Sequence, residues 1–267
     1  MIIFAPVKIK EVVEALERFA PLPLQEDYDN AGLQIGLTEA DISGALLCLD
    51  VTEAVIAEAV SRGCNLIVAH HPLLFRGIKC VADANDVQRC VRQAIKHDIC
   101  IYAAHTNLDN APGGVNFAIA EKLGLENVTF LLPRPDGKGG SGLIGDLKKE
   151  MPAADFLKTV KETFHIACLM HNDCQKPIRR VALCGGAGEF LMNTAVSLGA
   201  DAFLTGEIGY HYFFGHEQEI LIGAMGHYQS EQFTIDLLEK ILSPLFAESK
   251  CPLLKTGIDT NPIHYLV

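Results

Sequence analysis

The sequence predicts an α/β fold made of two similar lobes with mainly parallel sheets. Three observations support this prediction: short apolar runs alternate with amphipathic segments, one such unit recurs along the chain, and histidines and carboxylates follow the apolar runs. Alternating strands and helices are typical of βαβ units, whose ligands gather at the carboxyl ends of the strands. With 267 residues, 49% of them hydrophobic, the chain is long enough for a full core.

The recurring unit covers residues 47–63 and 183–199, which align without a gap at an offset of 136. Each copy continues into another apolar run, so both copies are predicted to be strand, helix, strand. Further on, His105-x-x-x-Asp109 aligns with His227-x-x-x-Glu231 at an offset of 122. The two matches occur in the same order, which favours an internal duplication with a shorter connection in the second copy. Seven positions of the gapless alignment are identical: Leu47/Leu183, Cys48/Cys184, Glu53/Glu189, Ala59/Ala195, Val60/Val196, Ser61/Ser197 and Gly63/Gly199.

Local signals place the individual elements. In the first copy, Thr52 is a suitable N-cap and Gly63 suits the left-handed position after a helix. We predict strands at 45–49, 65–69, 100–104, 202–205 and 220–225, and helices at 7–20, 87–97, 115–123, 153–164 and 232–242.

One composition break, the Gly- and Pro-rich stretch Pro133–Gly142, lies between the two copies. Its part from Gly137 to Gly142 is expected to be a flexible loop. We therefore place the lobe boundary just before it, with a first lobe at residues 1–130 and a second at 131–267. Together they would form one domain, with no further domain inserted.

Composition argues against several classes of partner. The formal net charge is −11 and no run of Lys or Arg occurs, which argues against nucleic acid and anionic membranes. The nine cysteines contain no C-x-x-C spacing, so we expect reduced thiols. No apolar run approaches the roughly 20 residues of a membrane span, and Met1–Lys10 shows no signal-peptide pattern. The expected location is the cytoplasm.

Histidines and carboxylates at the ends of three apolar runs indicate a metal site. His70 and His71 follow the run 66–69, and a strand end allows both imidazoles to turn into one cavity. Imidazole and carboxylate are the ligands that borderline divalent metals prefer. His227 and Glu231 would share one helical face if a helix begins by His227. His105 to Asp109 is expected to be a loop, because Pro112-Gly113-Gly114 interrupts any helix soon afterwards.

A glycine-rich turn, Gly185-Gly186-Ala187-Gly188, follows a predicted strand and opens a helix. Its N–H groups could hold an anion, but it lacks the residues of a P-loop and the spacing of a dinucleotide fingerprint. A tight turn between strand and helix is the simpler interpretation.

The chain resembles the NIF-three-like family, whose members are also labelled GTP cyclohydrolase I type 2 homologues. The resemblance implies two α/β lobes with a dinuclear metal centre between them, and assembly into a hexameric ring. It places His70, His71, Asp109, His227 and Glu231 on ligand positions, and His105 beside them as an orienting or proton-transfer residue. Tyr28 stands where the family often has Trp. The motifs that carry the resemblance are Asp29–Gly36, Ala69–Leu73, His105–Asp109 with Gly113–Asn116, Thr205–Glu207 and Gly226–Glu231.

These observations lead to a hydrolase that depends on two divalent ions, with Zn, Fe, Mn and Co as candidates. The family label indicates a purine nucleotide such as GTP as substrate, with ring opening at the imidazole carbon, whereas paired metals also suit phosphoester hydrolysis. The alternative is a metal-binding regulatory ring without turnover. Five protein ligands for two ions leave open coordination positions, which favours catalysis.

Overall fold

The computed structural model of the chain describes residues 7–247 and 249–266, so part of the N-terminal segment on which the signal-peptide argument rested lies outside them. The described residues form two compact units. The first contains residues up to Leu108 and from Thr234 to Thr260; the second contains Asp109–Phe233 and the residues from Asn261 onward. This division differs from the single boundary at 130/131, because the last helix and strand of the chain return to the first unit.

The helices and strands are numbered here in chain order. The strands are β1 (Gly32–Ile35), β2 (Ala45–Cys48), β3 (Leu66–Ala69), β4 (Cys100–Ala103), β5 (Glu126–Pro133), β6 (Gly140–Met151), β7 (Met170–His171), β8 (Ile178–Ala187), β9 (Ala202–Glu207), β10 (Leu221–Ala224) and β11 (Leu253–Lys255). The α-helices are α1 (Ile9–Phe19), α2 (Glu53–Ser61), α3 (Asp86–Lys96), α4 (Thr106–Asp109), α5 (Val115–Lys122), α6 (Ala153–Thr163), α7 (Met192–Ser197), α8 (His227–Glu231) and α9 (Thr234–Ala247).

The first unit has a five-stranded sheet in the order β1-β4-β3-β2-β11. Strands β4, β3, β2 and β11 are parallel, and only β1 runs antiparallel at the edge. The hydroxyl of Thr52 accepts a hydrogen bond from the N–H of Val55 at 3.2 Å, which confirms the predicted N-cap of α2. The predicted left-handed Gly63 is also confirmed, with φ of 70°. Apolar residues of α2 pack against β2 and β3 to form the core.

The second unit has a six-stranded sheet in the order β5-β6-β8-β9-β10-β7. Its centre, β8-β9-β10, is parallel as predicted, but β5, β6 and β7 pair antiparallel, so the sheet is mixed. The sequence prediction missed β5, β6 and β7 of this sheet. Residues 134–139 connect them as a hairpin turn, in which Arg134 N–H donates to Gly139 O at 2.8 Å. The glycine-rich stretch is therefore a turn within one sheet and not a lobe boundary.

The two copies of the sequence repeat have the same strand pairing. In the first, Ala45 pairs with Leu66 and Cys48 with Ala69. In the second, the residues at the offset of 136 pair in the same way, from Val181 with Ala202 to Cys184 with Thr205. A third parallel strand follows each unit, β4 and β10 respectively. The shared register supports the duplication, which itself stays an inference.

One local prediction was wrong. Residues 106–109, expected to be a loop, form the single-turn helix α4, in which Leu108 N–H donates to His105 O at 2.7 Å. The bend at Gly113, with φ of 76°, separates α4 from α5. Pro112-Gly113-Gly114 therefore ends the helix after one turn and does not prevent that turn from forming. Among the described residues, no helix combines the length and apolarity needed to cross a membrane.

Candidate metal centre

In the first unit, His70 and His71 follow the end of β3, where the parallel ladder still holds their backbone. His70 N–H donates to Cys48 O at 3.2 Å, and His71 N–H donates to Leu49 O at 2.9 Å. Their ring centroids lie 4.8 Å apart at an angle of 43°. Ligand nitrogens of the two rings lie within 4.8 Å of each other. The adjacent histidines therefore present both imidazoles to one place, as predicted for a strand end.

Hydrogen bonds at Nδ1 orient both imidazoles. His70 Nδ1 donates to the carbonyl oxygen of Ala104, and His71 Nδ1 donates to Oδ1 of Asp50, each at 2.7 Å. Because both acceptors lack a proton, Nδ1 must carry the hydrogen in each ring, and Nε2 is the nitrogen with the lone pair. A metal-ligating imidazole with its other nitrogen on a carboxylate or carbonyl is a recurrent arrangement that fixes tautomer and orientation.

Asp50 is itself held in place by the C-terminal segment of the first unit. The hydroxyl of Thr260 donates to Oδ2 of Asp50 at 2.6 Å, so Thr260, Asp50 and His71 form a chain of hydrogen bonds. Burial opposes the charge of Asp50, but the hydrogen bonds from His71 and Thr260 outweigh it and hold the pKa of this carboxyl below its usual range. Asp50 therefore remains an acceptor for His71 at neutral pH.

His105, the predicted catalytic residue, joins the same group of rings. Its centroid lies 5.4 Å from that of His70 and 5.5 Å from that of His71. Nδ1 donates to Oδ1 of the fully buried Asp29 side chain at 2.6 Å, and Thr106 N–H donates to the second oxygen at 3.0 Å. Burial opposes ionisation of Asp29, but these bonds keep the pKa of its carboxyl lowered. Nε2 of His105 is thus the nitrogen suited to accept a proton.

In the second unit, α8 carries the predicted pair on one face. The helix begins at His227, directly after Gly226 with φ of 92°, so the condition for a shared helical face is met. His227 Nε2 lies 3.1 Å from Oε2 of Glu231, and Nδ1 lies 3.2 Å from Oε1 of Glu207. A contact between Nε2 and a carboxylate needs a proton or a cation. Two ligands of one tetrahedral zinc stand about 3.3 Å apart when each bond is roughly 2.0–2.1 Å, so this pair fits a metal ion.

Gly186 makes room for the Glu231 carboxylate. A Cβ on Gly186 would lie 2.5 Å from Oε1 of Glu231, and one on Gly185 would lie 3.6 Å from the same oxygen. The N–H groups of these two glycines donate to Ser230 Oγ at 3.0 Å and to Asn116 Oδ1 at 2.9 Å. The turn's donors are thus engaged within the unit, which favours the tight turn over an anion site.

Asp109 ends α4 and begins the second unit. Its carbonyl oxygen accepts a hydrogen bond from Nδ2 of the buried Asn116 at 3.1 Å. Oδ1 of the same amide accepts a hydrogen bond from the N–H of Gly185. Asn116 therefore ties Asp109 to the strand whose glycines border Glu231. Each unit has its own donor group: His70, His71 and His105 in the first, and Asp109, His227 and Glu231 in the second.

Sequence reasoning did not assign the carboxylates that orient the imidazoles, Asp29, Asp50 and Glu207. A usable signal existed for two of them. Asp50 comes shortly after β2, and Glu207 ends β9, so both stand at carboxyl ends of parallel strands, as the histidines do. Asp29 follows no such strand, and its only signal in the sequence is the family motif Asp29–Gly36.

Comparisons with known proteins agree with the sequence motifs. The model of the Duf34/NIF3 (NGG1p interacting factor 3) family matches residues 7–262. The chain is 35% identical to the "GTP cyclohydrolase 1 type 2 homolog" of Clostridium perfringens, over 95% of this chain and 98% of that one. It is 33% identical to the protein of the same name from Streptococcus pneumoniae, over 96% and 98% of the two chains.

Solved structures show the same fold. Staphylococcus aureus protein SA1388 superposes with a TM-score of 0.90 at 27% identity, covering 98% of this chain and all of that one. A Bacillus cereus protein related to NIF3 gives a TM-score of 0.88 at 24% identity, with the same coverage. With a family model that matches almost the whole chain, the chain belongs to the Duf34/NIF3 (NGG1p interacting factor 3) family.

Proposed function

We propose that the chain is a hydrolase that depends on two divalent metal ions. The observation that carries the proposal is the orientation of His70 and His71, whose Nδ1 atoms donate to Ala104 O and Asp50 Oδ1, so that Nε2 is the nitrogen of each ring with the lone pair. The His227 and Glu231 pair adds a second set of donors at a spacing that suits one ion. The proposed ligands are His70, His71, Asp109, His227 and Glu231.

When bound, two divalent ions would lower the pKa of water and polarise the bond to be cleaved. The chain's own residues would hold and orient these ions and move the proton. His105 is the proposed proton-transfer residue, because Asp29 fixes its tautomer and leaves Nε2 to accept a proton from water and to deliver it to the leaving group.

The proposed substrate is a purine nucleotide such as GTP, opened by hydrolysis at its imidazole carbon. Support comes from the name that the Clostridium perfringens and Streptococcus pneumoniae relatives carry. Hydrolysis of a phosphoester is the second reaction that a pair of metals suits. From the family resemblance we also propose assembly into a homohexameric ring, and a monomer in light scattering would refute this assembly.

The test begins with metal content. Protein reconstituted with Zn, Mn, Fe or Co should bind two ions per subunit, and His71→Ala or Glu231→Ala should lower occupancy while the far-ultraviolet circular dichroism stays unchanged. Binding of at most one ion by the parent chain would refute the dinuclear centre.

The second step measures turnover of GTP and of phosphoesters by the reconstituted protein. Hydrolysis should disappear on chelation and fall steeply in Asp109→Ala, whereas His105→Ala should keep its metal and lose rate, because a proton carrier acts on the transition state. A fully metallated protein that hydrolyses none of these compounds would favour the metal-binding ring without turnover.

A further inference from the structure

Two large aromatic side chains of the first unit are exposed beside the histidine group. Tyr28 is 65% exposed and Phe75 is 42% exposed, although burying aromatic surface is favourable. Their ring centroids lie 6.4 Å apart with an interplanar angle of 67°, so the two rings form one continuous surface. Exposed apolar surface that is organised in this way marks a ligand or partner site more often than scattered single residues do.

This aromatic surface is continuous with the proposed reaction centre. The ring of Phe75 meets that of His105 edge to face, with centroids 6.0 Å apart. His105 in turn contacts the His71 ring, with centroids 5.5 Å apart. A row of rings therefore runs from Tyr28 through Phe75 to the imidazoles. A flat molecule that covers Phe75 lies one ring away from the proton-transfer residue.

The loops that carry the two aromatic residues are tied together by amide side chains. Asn30 Nδ2 donates to Leu74 O at 2.8 Å, and Leu74 N–H donates to Gln34 Oε1 at 3.0 Å. Gln34 Nε2 also donates to Asn30 O at 2.6 Å. These bonds involve residues close to Tyr28 and directly before Phe75, so the surface is held in place before any ligand arrives. Such preorganisation lowers the entropy cost of binding.

We infer that Phe75 provides the face on which a planar heteroaromatic ring stacks, with a nucleobase as the defining case, and that Tyr28, inclined at 67° to it, borders this stacking surface. This inference rests on the proposed function and adds the residues that would bind the base of the proposed substrate. Base–aromatic stacking needs only a π-face and is typically worth about 1–3 kcal/mol per base. A ring stacked on Phe75 would lie near His105, whose ring centroid is 6.0 Å from that of Phe75, beside the place where the chemistry is proposed to occur.

The chain lacks Trp, which allows a direct test of stacking. A Tyr28→Trp variant carries the only indole of the protein, so its fluorescence reports on this surface alone. Guanosine and GTP should both quench the fluorescence with saturation, whereas inorganic tripolyphosphate should not. Quenching by tripolyphosphate to the same extent, or by neither guanosine nor GTP, would overturn the inference.

Substitution of Phe75 tests the second ring. In calorimetric titrations with guanosine or GTP, Phe75→Leu should weaken binding by about tenfold or more, and Phe75→Tyr should restore it. Tyr210→Leu removes a 72% exposed aromatic side chain from the second unit and should leave binding unchanged. Equal affinity of Phe75→Leu and the parent chain would overturn the inference.

The same variants separate this inference from other outcomes. If Phe75→Leu lowers the mass measured by light scattering, the aromatic surface is an interface between copies of the chain, and the inference is overturned. The titrations need no turnover. A protein that stacks guanosine but hydrolyses nothing contradicts only the proposed function, whereas one that hydrolyses GTP with the same KM in Phe75→Leu contradicts only the stacking surface.

Discussion

The two units have the same strand register but supply their donor side chains from different elements. In the first, the end of β3 provides His70 and His71, and Asp50 after β2 orients His71. At the offset of 136, the second unit has Gly206, Glu207 and Gly186 in place of these three residues. Its imidazole comes instead from His227 on α8, with Glu231 one turn later.

The glycines explain how a helix can take over this role. A Cβ on Gly206 would lie 2.6 Å from Gly186 O and 3.0 Å from His227 Cα. Helix α8 packs directly on β8 and β9, so its backbone lies where side chains stand in the first unit. A repeated βαβ frame thus specifies backbone positions, and the donor type at each position depends on which neighbouring element packs there.

The largest effect is expected when a side chain is added at Gly206, where α8 packs closely on β9. Gly206→Ala should lower the free energy of unfolding by about 3 kcal/mol, because the added methyl meets backbone atoms that cannot move independently. Gly77→Ala, which would meet nothing within 4 Å, should change it by less than about 0.5 kcal/mol. Urea denaturation measures both. Equal stability of the two variants would show that α8 does not need this glycine.

The orienting carboxylates test whether the two units hold their imidazoles equally well. Asp50→Ala should weaken metal binding by about 10- to 100-fold, because His71 loses the partner that fixes its tautomer. Glu207→Ala should have a smaller effect, since this carboxylate is 57% exposed and its contact with His227 is longer. Competition with a chelating dye gives both affinities. A larger loss in Glu207→Ala would reverse the proposed ranking.

Comparison of substitutions at Gly186 and Gly199 separates the effect of backbone strain from that of crowding the Glu231 carboxylate. Gly186→Ala and Gly199→Ala both place a side chain at positive φ, 61° and 70°, and each should lose about 1–2 kcal/mol of stability. Only Gly186→Ala would push against the Glu231 carboxylate, which can swing away. Metal affinity should therefore fall by about tenfold in Gly186→Ala alone. Similar metal affinities in both variants would contradict this role of Gly186.

The smallest effect is expected at Thr260, which is linked to His71 through two hydrogen bonds by way of Asp50. Thr260→Val keeps the shape but removes the hydrogen bond to Asp50, so metal affinity should fall by roughly threefold to tenfold. Thr260→Ser should restore it, because the hydroxyl alone carries the interaction. Unchanged affinity in Thr260→Val would show that His71 alone holds Asp50 in place.

Features that depend on residues close together in the chain could be predicted from the sequence alone. They include the short apolar strands, the cap at Thr52, the left-handed Gly63, and the pairing of His227 with Glu231 on one helical face. The gapless repeat also anticipated that both βαβ units share one ladder register. These features depend on local backbone geometry and on periodicity, which neighbouring residues determine by themselves.

Contacts between distant segments were decided only by the tertiary structure. The partnership of Asp29 with His105 joins residues 76 positions apart, and that of Thr260 with Asp50 joins residues 210 apart. The return of β11 to the first sheet and the hairpin at 134–139 changed the expected boundary. Gly186 is predicted only as a turn residue, yet a Cβ there would lie 2.5 Å from Oε1 of Glu231 on α8, and one on Gly206 would lie 3.0 Å from Cα of His227. The residues near a position in the chain do not determine which distant segment packs against it, so these roles become visible only in the tertiary structure.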